Sequence, residues 1–131
     1  MVQFDQATEI DSAIALNTSL IQTDTTTNGA IVDTLGAGAI SYLAQVGVVT
    51  AGDVTFTLTE GDDPALADGA TVAAADITGT IGTLDTTNTQ TYFGYVGKKR
   101  YVRLNAVTDN SADLTVTVGA IKGYLRNSPA A

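Results

Sequence analysis

Apolar and polar residues alternate along several stretches of this chain, the period-2 pattern of a strand with one face in a core. The alternation is unbroken in residues 54–59 and 114–118, where valine, phenylalanine and leucine alternate with threonine. Residues 40–49 follow the pattern less regularly, and residues 12–23 are also predicted to be extended. One face of that last strand would consist of Ile14, Leu16, Thr18 and Leu20. The pattern predicts a chain built mainly from strands.

Short segments that contain glycine or asparagine lie between these stretches and predict turns. Residues 50–53 include a glycine and would join two of the strands as a hairpin. Asn28 and Gly29 form a second turn signal, because both residue types tolerate positive φ. The expected connections are therefore short and local at these two points.

The strongest hairpin pattern lies in residues 92–104, with a two-residue turn expected at Gly97 and Lys98. In that register Tyr101 would lie opposite Gly94 and cover its bare backbone. The predicted core face consists of Phe93, Val102 and Leu104. The opposite face consists of Tyr101, Arg103 and Asn105.

The alternation stops in residues 60–76, which form a long acidic connection. Asp63 could cap a single turn with Pro64 at its first position, and the alanine-rich residues 65–75 are where any helix would be expected. The carboxylates are oxygen ligands of the type that Ca²⁺ prefers, but their spacing matches no EF-hand. We therefore favour a solvated turn over a cation site. The carboxylates concerned are Glu60, Asp62, Asp63 and Asp68.

The composition agrees with a β protein. The 131 residues include 22 threonines, 12 valines, 13 glycines and only 2 prolines, and threonine and valine favour the pleated surface of a strand. We predict an all-β, single-domain antiparallel β-sandwich or jelly-roll-like barrel with long loops. Residues 12–126 would form this domain. Residues 1–11, which are weakly patterned, would form an N-terminal arm, and residues 127–131 a C-terminal tail.

The residue types that are missing exclude several functions. The chain has no cysteine and no histidine, so thiolate metal sites, disulfides and catalysis by an imidazole base are excluded. No apolar run reaches the roughly 18 residues that would suggest a membrane span. The first 11 residues carry three acids and no base, unlike the start of a signal peptide. We expect a protein made in the cytoplasm, with no enzymatic activity, cofactor, metal site or membrane partner.

The positive charges are confined to the end of the chain. The net charge is −8, yet all six cations lie between Lys98 and Arg126. A dense cationic segment with neighbouring tyrosines is either a solvated hairpin tip or a docking patch for an acidic partner. Nucleic acid is disfavoured, since a pI of about 4.1 implies repulsion from phosphate. The candidate partner-binding residues are Tyr95, Lys98, Lys99, Arg100, Tyr101 and Arg103.

Three segments resemble a family of small tailed-bacteriophage proteins that are encoded close to the major capsid protein. They are residues 19–34, residues 60–63 and, most specifically, residues 94–104, whose sequence is GYVGKKRYVRL. The resemblance covers roughly residues 12–125, whereas the ending at residues 125–129 departs from the family pattern. It transfers no catalytic motif and no role for the Lys-Lys-Arg run.

The resemblance implies a virion structural protein, most plausibly a capsid decoration or cement protein. The implied partner is the major capsid protein, and the implied location is the capsid surface of the virion. We expect a homo-oligomer, a trimer before a dimer. The alternatives are a head–tail connector or tail component, a carbohydrate-binding module, which the missing tryptophan disfavours, and a hydrolase that uses carboxylates.

Overall fold

The computed structural model describes residues 11–123, which form a single sheet of eight antiparallel strands. The predicted arm and tail lie outside the described residues, except that Asp11 begins the first strand. A single 3₁₀ turn spans Ala74–Asp76, and within residues 11–123 no helix is long and apolar enough to cross a membrane. The strands are β1 (Asp11–Ile21), β2 (Thr26–Asp33), β3 (Ala39–Gly61), β4 (Ala70–Thr71), β5 (Ile77–Gly79), β6 (Thr83–Leu84), β7 (Gln90–Tyr95) and β8 (Tyr101–Gly123).

Two long strands, β3 and β8, organise the sheet. Each has 23 residues, and they pair along most of their length. Their register shifts between Val46 and Asp53, which divides the sheet into two parts. The β1 half consists of β1, β5, β7 and residues 39–49 and 114–123. The β2 half consists of β2, β4, β6 and residues 53–61 and 101–109.

The two halves pack against each other around one core. The ring of Phe93 in the β1 half lies 5.8 Å from that of Tyr42, its cross-strand neighbour, and 6.3 Å from that of Phe56 in the β2 half. The alternating residues predicted to face inwards do so: Val54, Phe56, Leu58, Leu114, Val116 and Val118 are all buried. The prediction of an all-β, antiparallel single domain is confirmed. The sheet bends back on itself without closing into a barrel.

Residues 50–53 do not form the predicted hairpin, because β3 continues through them. Gly52 has a φ of +75°, and a Cβ at this position would lie 2.5 Å from both the Ala112 Cα and the Asp109 carbonyl oxygen. Glycine is therefore used here for positive φ and close approach of β8 where both long strands change register. The glycine that predicted a turn therefore marks a bend within β3.

The turn predicted at Asn28 and Gly29 is also wrong, since both residues lie inside β2. A side chain on Gly29 would collide with the carbonyl oxygens of Ala15 and Leu104. This glycine lets β2 approach the backbones of β1 and β8 closely, a second common use of glycine in strands.

The strand predicted in residues 12–23 is confirmed as β1, but the face assigned to it is wrong. Its register against β8 shifts twice, between Ile14 and Leu16 and again before Ser19. As a result Leu16 and Ile21 are buried, whereas Ile14 and Leu20 are each 64% exposed. Bulges of this kind change which side chains face the core, and simple alternation does not reveal them.

The hairpin predicted in residues 92–104 does not form. β7 pairs with β3 and β5, whereas β8 pairs with β1, β2 and β3. The segment between β7 and β8 instead crosses from the β1 half to the β2 half. The inward positions of Phe93, Val102 and Leu104 are confirmed. Gly94, however, is covered by Thr78 of β5 and not by Tyr101.

The acidic connection after β3 is held by its own carboxylates. Asp68 accepts hydrogen bonds from the backbone N–H groups of Asp62 and Asp63. Asp63 accepts them from Ala65 (2.7 Å) and Ala67 (3.4 Å), which confirms a capped turn. The 3₁₀ turn is the one helical element at the end of the alanine-rich stretch.

Candidate partner-binding site

The six predicted partner-binding residues lie where the chain crosses between the halves. Tyr95 is the last residue of β7, Lys98, Lys99 and Arg100 lie in the crossing, and Tyr101 begins β8. The side chains of Tyr101 and Arg103 occupy outward positions of the β2 half, since the alternate residues Val102 and Leu104 are buried. The structure thus places the six residues within one short segment, but not at a hairpin tip.

Tyr95 ties the two halves together. Its ring is 2% exposed, and its hydroxyl donates a hydrogen bond to Glu60 Oε2 in the β2 half at 2.5 Å. The same hydroxyl accepts a hydrogen bond from the Lys99 N–H at 3.1 Å. Burial, followed by the Glu60 carboxylate, raises the pKa of this phenol. Tyr95 therefore positions the cationic segment from inside and offers no exposed contact area of its own.

Two of the cations form ion pairs with acids from distant parts of the chain, Asp62 just after β3 and Asp33 at the end of β2. Lys99 Nζ lies 2.5 Å from Asp62 Oδ2, and this contact raises the pKa of Lys99. The Arg100 guanidinium donates two hydrogen bonds to Asp33, at 2.9 and 3.1 Å, which lowers the pKa of that carboxyl. The Arg100 guanidinium also lies 5.1 Å from the centre of the Tyr101 ring. Each of these four charged side chains is at least 40% exposed, so a partner could reach them.

Arg103 belongs to a hydrogen-bonded network on the outer surface of the β2 half. Its Nε donates to Asn105 Oδ1 at 3.1 Å, and Asn105 Nδ2 donates to Thr59 Oγ1 at 2.9 Å. Asn105 is only 6% exposed, so its amide depends on these partners. The alternation along the strand places Asn105 on an outer face but does not predict this network. The available signal was a polar amide within an alternating strand.

Lys98 is exposed and has no ion-pair partner within residues 11–123. Arg103 likewise has no ion-pair partner among these residues, so these two cations carry the uncompensated charge of the segment. The described residues contain no group of three or more metal-ligating side chains. Because Lys98, Lys99 and Arg100 are exposed, the segment can supply hydrogen bonds and exchangeable ion pairs to an acidic surface.

The outer surface of the β1 half is a second candidate surface that the sequence analysis missed. Its outward strand positions carry no charged residue, although the chain as a whole contains 20. Of the seven large hydrophobic residues exposed in the described part, four lie here. We call this surface the uncharged face. It consists of Ser12, Ile14, Thr18, Leu20, Ser41, Leu43, Gln45, Gln90, Tyr92, Thr115, Thr117, Gly119 and Ile121.

No known family model matches this chain, and no curated protein matches it. The chain is similar to a solved structure, the crystal structure of the SPBc2 prophage-derived protein YomS. The sequence identity is 15% and the TM-score 0.53, over 93% of this chain and 96% of the other. The likeness shows a shared fold that extends over nearly the whole of both chains.

Proposed function

We propose that this protein is a non-enzymatic structural protein of a tailed-phage virion, which decorates and stabilises the capsid by docking on the assembled major capsid protein. The observation that carries the proposal is the fold shared with a prophage-derived protein over nearly the full length of both chains. The family resemblance of residues 94–104 supports it independently. The protein would be made in the host cytoplasm and end on the capsid surface.

The proposed docking element is the cationic segment from Lys98 to Arg103. Its ion pairs with Asp33 and Asp62 are solvent-exposed, so they can be exchanged for acidic groups on a shell at little cost. Each such contact contributes about 0.2–1 kcal/mol when exposed. Repetition across an oligomer raises the effective concentration and converts weak contacts into stable attachment.

The test replaces Lys98, Lys99 and Arg100 together by serine and measures the occupancy of purified particles across a salt titration. The variant should leave the particles at lower salt than the wild-type protein. Its melting temperature should change little, because the lost ion pairs are exposed. Lys122→Ser is the matched control, since Lys122 also pairs with an acid, Asp11 at 3.3 Å, but lies in the β1 half. Equal occupancy of variant and wild type at every salt concentration would reject the docking role.

A cryo-EM map of the particle tests the broader assignment. Density for this domain on the shell is expected. Density at the head–tail joint or along the tail would instead support the connector or tail alternative. Absence of the protein from purified particles would contradict a virion role altogether.

A further inference from the structure

The uncharged face has a regular arrangement of apolar side chains. Ile14 of β1 lies beside Gly119 of β8, Gly119 beside Leu43 of β3, and Leu43 beside Tyr92 of β7. Register partners in an antiparallel sheet point to the same side, so these four residues form one row across the face. Ile14 and Tyr92 are 64% and 74% exposed. The row on one side of it is polar and contains Thr117, Gln45 and Gln90, and the row on the other side places Ile121 between Ser12 and Ser41.

The row contains both projecting side chains and hollows. Tyr92 projects at one end, whereas a Cβ at Gly119 would meet nothing within 4 Å. Beyond Tyr92 lies an open depression of about 440 Å³, lined by Gly79, Thr80 and Gln90 among others. Within this row Ile14 and Tyr92 project the most, and the hollows lie at Gly119 and at the depression, whereas Leu20 lies on the same face outside the row.

We propose that the uncharged face binds the same face of a second copy of this chain, around a two-fold axis that runs along β3. This rotation exchanges positions on either side of β3. Leu43 then faces Leu43 of the second copy, Tyr92 faces the hollow at Gly119, and Ile14 faces the depression beyond Tyr92. Ile14 and Tyr92 thus each meet a hollow, and the strands of the two sheets run in a similar direction, as in aligned sheet packing.

The lack of charge on this face disfavours a charged partner and permits a second copy. Two copies of net charge −8 repel each other, so they can approach closely where neither carries charge. Depletion of charged residues is also the compositional feature that distinguishes the centre of protein interfaces. An oppositely charged partner would find no complementary groups on this face. The surface thus fits a self-complementary contact.

The size of the face sets the strength of this contact. Four strands about 4.8 Å apart and seven residues of about 3.3 Å each give a flat area of roughly 440 Å² per copy. Specific stable interfaces usually bury about 800 Å² per partner. We therefore expect a weak dimer that forms at micromolar concentrations or above. Salt should strengthen it, because salt screens the repulsion between the two acidic chains.

Sedimentation equilibrium of the full chain tests the proposal, from about 10 µM to about 1 mM and in about 0.05 M and about 0.5 M NaCl. A monomer–dimer equilibrium is expected, with a dissociation constant at least about threefold lower at the higher salt. A monomer at every concentration, or a dimer that salt weakens, would overturn it. A trimer would overturn the two-fold arrangement.

Charges introduced at Leu43 test the position of the two-fold axis. Leu43→Glu and Leu43→Lys should each weaken the dimer by about tenfold or more, because like charges would face each other. An equimolar mixture of the two variants should form a heterodimer, detectable by native mass spectrometry. Leu35→Glu and Leu35→Lys are matched controls, since Leu35 is 68% exposed but lies in the loop between β2 and β3. Failure of the mixture to dimerise, or equal effects at Leu35, would reject this interface, whatever the result on capsid docking.

Discussion

The outer surfaces of the two halves differ in chemistry although the same two strands run through both. In the β2 half, the outward positions include Asp33, Tyr101, Arg103 and Asn105, where Asp33 pairs with Arg100 and Arg103 donates a hydrogen bond to Asn105. In the β1 half, the outward positions carry serine, threonine, glutamine and exposed apolar residues without a single charge. Inward residues of both halves contribute to one apolar core. The core thus explains the fold, and the outer positions distinguish two surfaces with different uses.

The two surfaces should respond to salt in opposite ways. Salt weakens contacts between opposite charges, so attachment through the cationic segment should decrease. Salt strengthens association of like-charged chains through an uncharged surface, because it screens their repulsion. The salt dependence of capsid attachment and of dimerisation therefore distinguishes the two surfaces experimentally.

The largest effect is expected at the bend that joins the halves. Gly52→Val places a β-branched residue at a φ of +75° and against the backbone of Ala112 and Asp109. The left-handed conformation costs about 1–2 kcal/mol and overpacking about 1–3 kcal/mol, so a loss of about 3 kcal/mol in unfolding free energy is expected. Urea denaturation measures it.

Gly119→Val is the matched control for that variant. Gly119 also lies in β8, but it faces outwards into open space, so unfolding free energy should change by less than about 0.5 kcal/mol. The same substitution fills the hollow proposed to receive Tyr92. It should weaken dimerisation without destabilising the monomer. Comparable stability losses at both glycines would show that the bend has no special role.

A smaller effect is expected at the contact between the halves. Tyr95→Phe removes the hydroxyl that binds Glu60 and the Lys99 N–H, and loss of such bonds should lower the unfolding free energy by about 1–2 kcal/mol. The melting temperature and urea midpoint report it. The variant should also loosen the cationic segment, which raises amide exchange at Lys99.

Tyr42→Phe also removes a buried tyrosine hydroxyl, but the expected change in unfolding free energy has the opposite sign. The Tyr42 hydroxyl is buried and has no hydrogen-bond partner among the described residues. Its removal should increase unfolding free energy by about 1 kcal/mol, since an unsatisfied buried group is eliminated. Equal destabilisation by both substitutions would contradict this, because it would mean that the Tyr42 hydroxyl also makes a favourable interaction.

The smallest effect is expected from acid titration of the charged surface. Arg100 holds the pKa of Asp33 below its ordinary value of 3.8. The ionised form is thus favoured by folding, and its contribution is present above pH 3.8 and lost as the pH falls through the lowered pKa. Asp33→Asn should remove at most about 1 kcal/mol at neutral pH, because the pair is exposed.

The measurement is urea denaturation of both proteins between pH 2 and pH 7. The curves for the wild type and Asp33→Asn should converge at the acid end and separate towards neutral pH. Curves that stay parallel across the range would show that the Arg100 contact does not stabilise the fold. Dimerisation should be affected less by this substitution, since Asp33 lies on the other surface.

The alternation of apolar and polar residues identified the strands in which side chains alternate between the core and the solvent. Residues 54–59 and 114–118 alternate because every second side chain enters the core, and they are strands as predicted. Prediction failed where a residue type has two uses. Gly29 and Gly52 were interpreted as turn residues, yet they permit close backbone approach inside strands. The face predicted for β1 was also wrong, because its register shifts cannot be seen in the alternation of residues.

The candidate sites show the same limit. The cationic segment was visible as a cluster in the sequence, but its ion pairs with Asp33 and Asp62 connect residues 67 and 37 positions apart. No pattern in the sequence indicated the uncharged face. Its central row unites Ile14, Leu43, Tyr92 and Gly119, which come from four different strands. Only strand pairing places them side by side.

The all-β class, the inward residues of the long strands and the confinement of positive charge to one end of the chain could therefore be predicted without the structure. Those properties follow from composition and from a period of two residues, which act over a few neighbouring positions. Tertiary structure decided which strands pair, where β3 and β8 bend, and which outward residues share a surface. Such choices depend on contacts between distant segments, whose energies are summed over the whole fold and are not encoded at any single position.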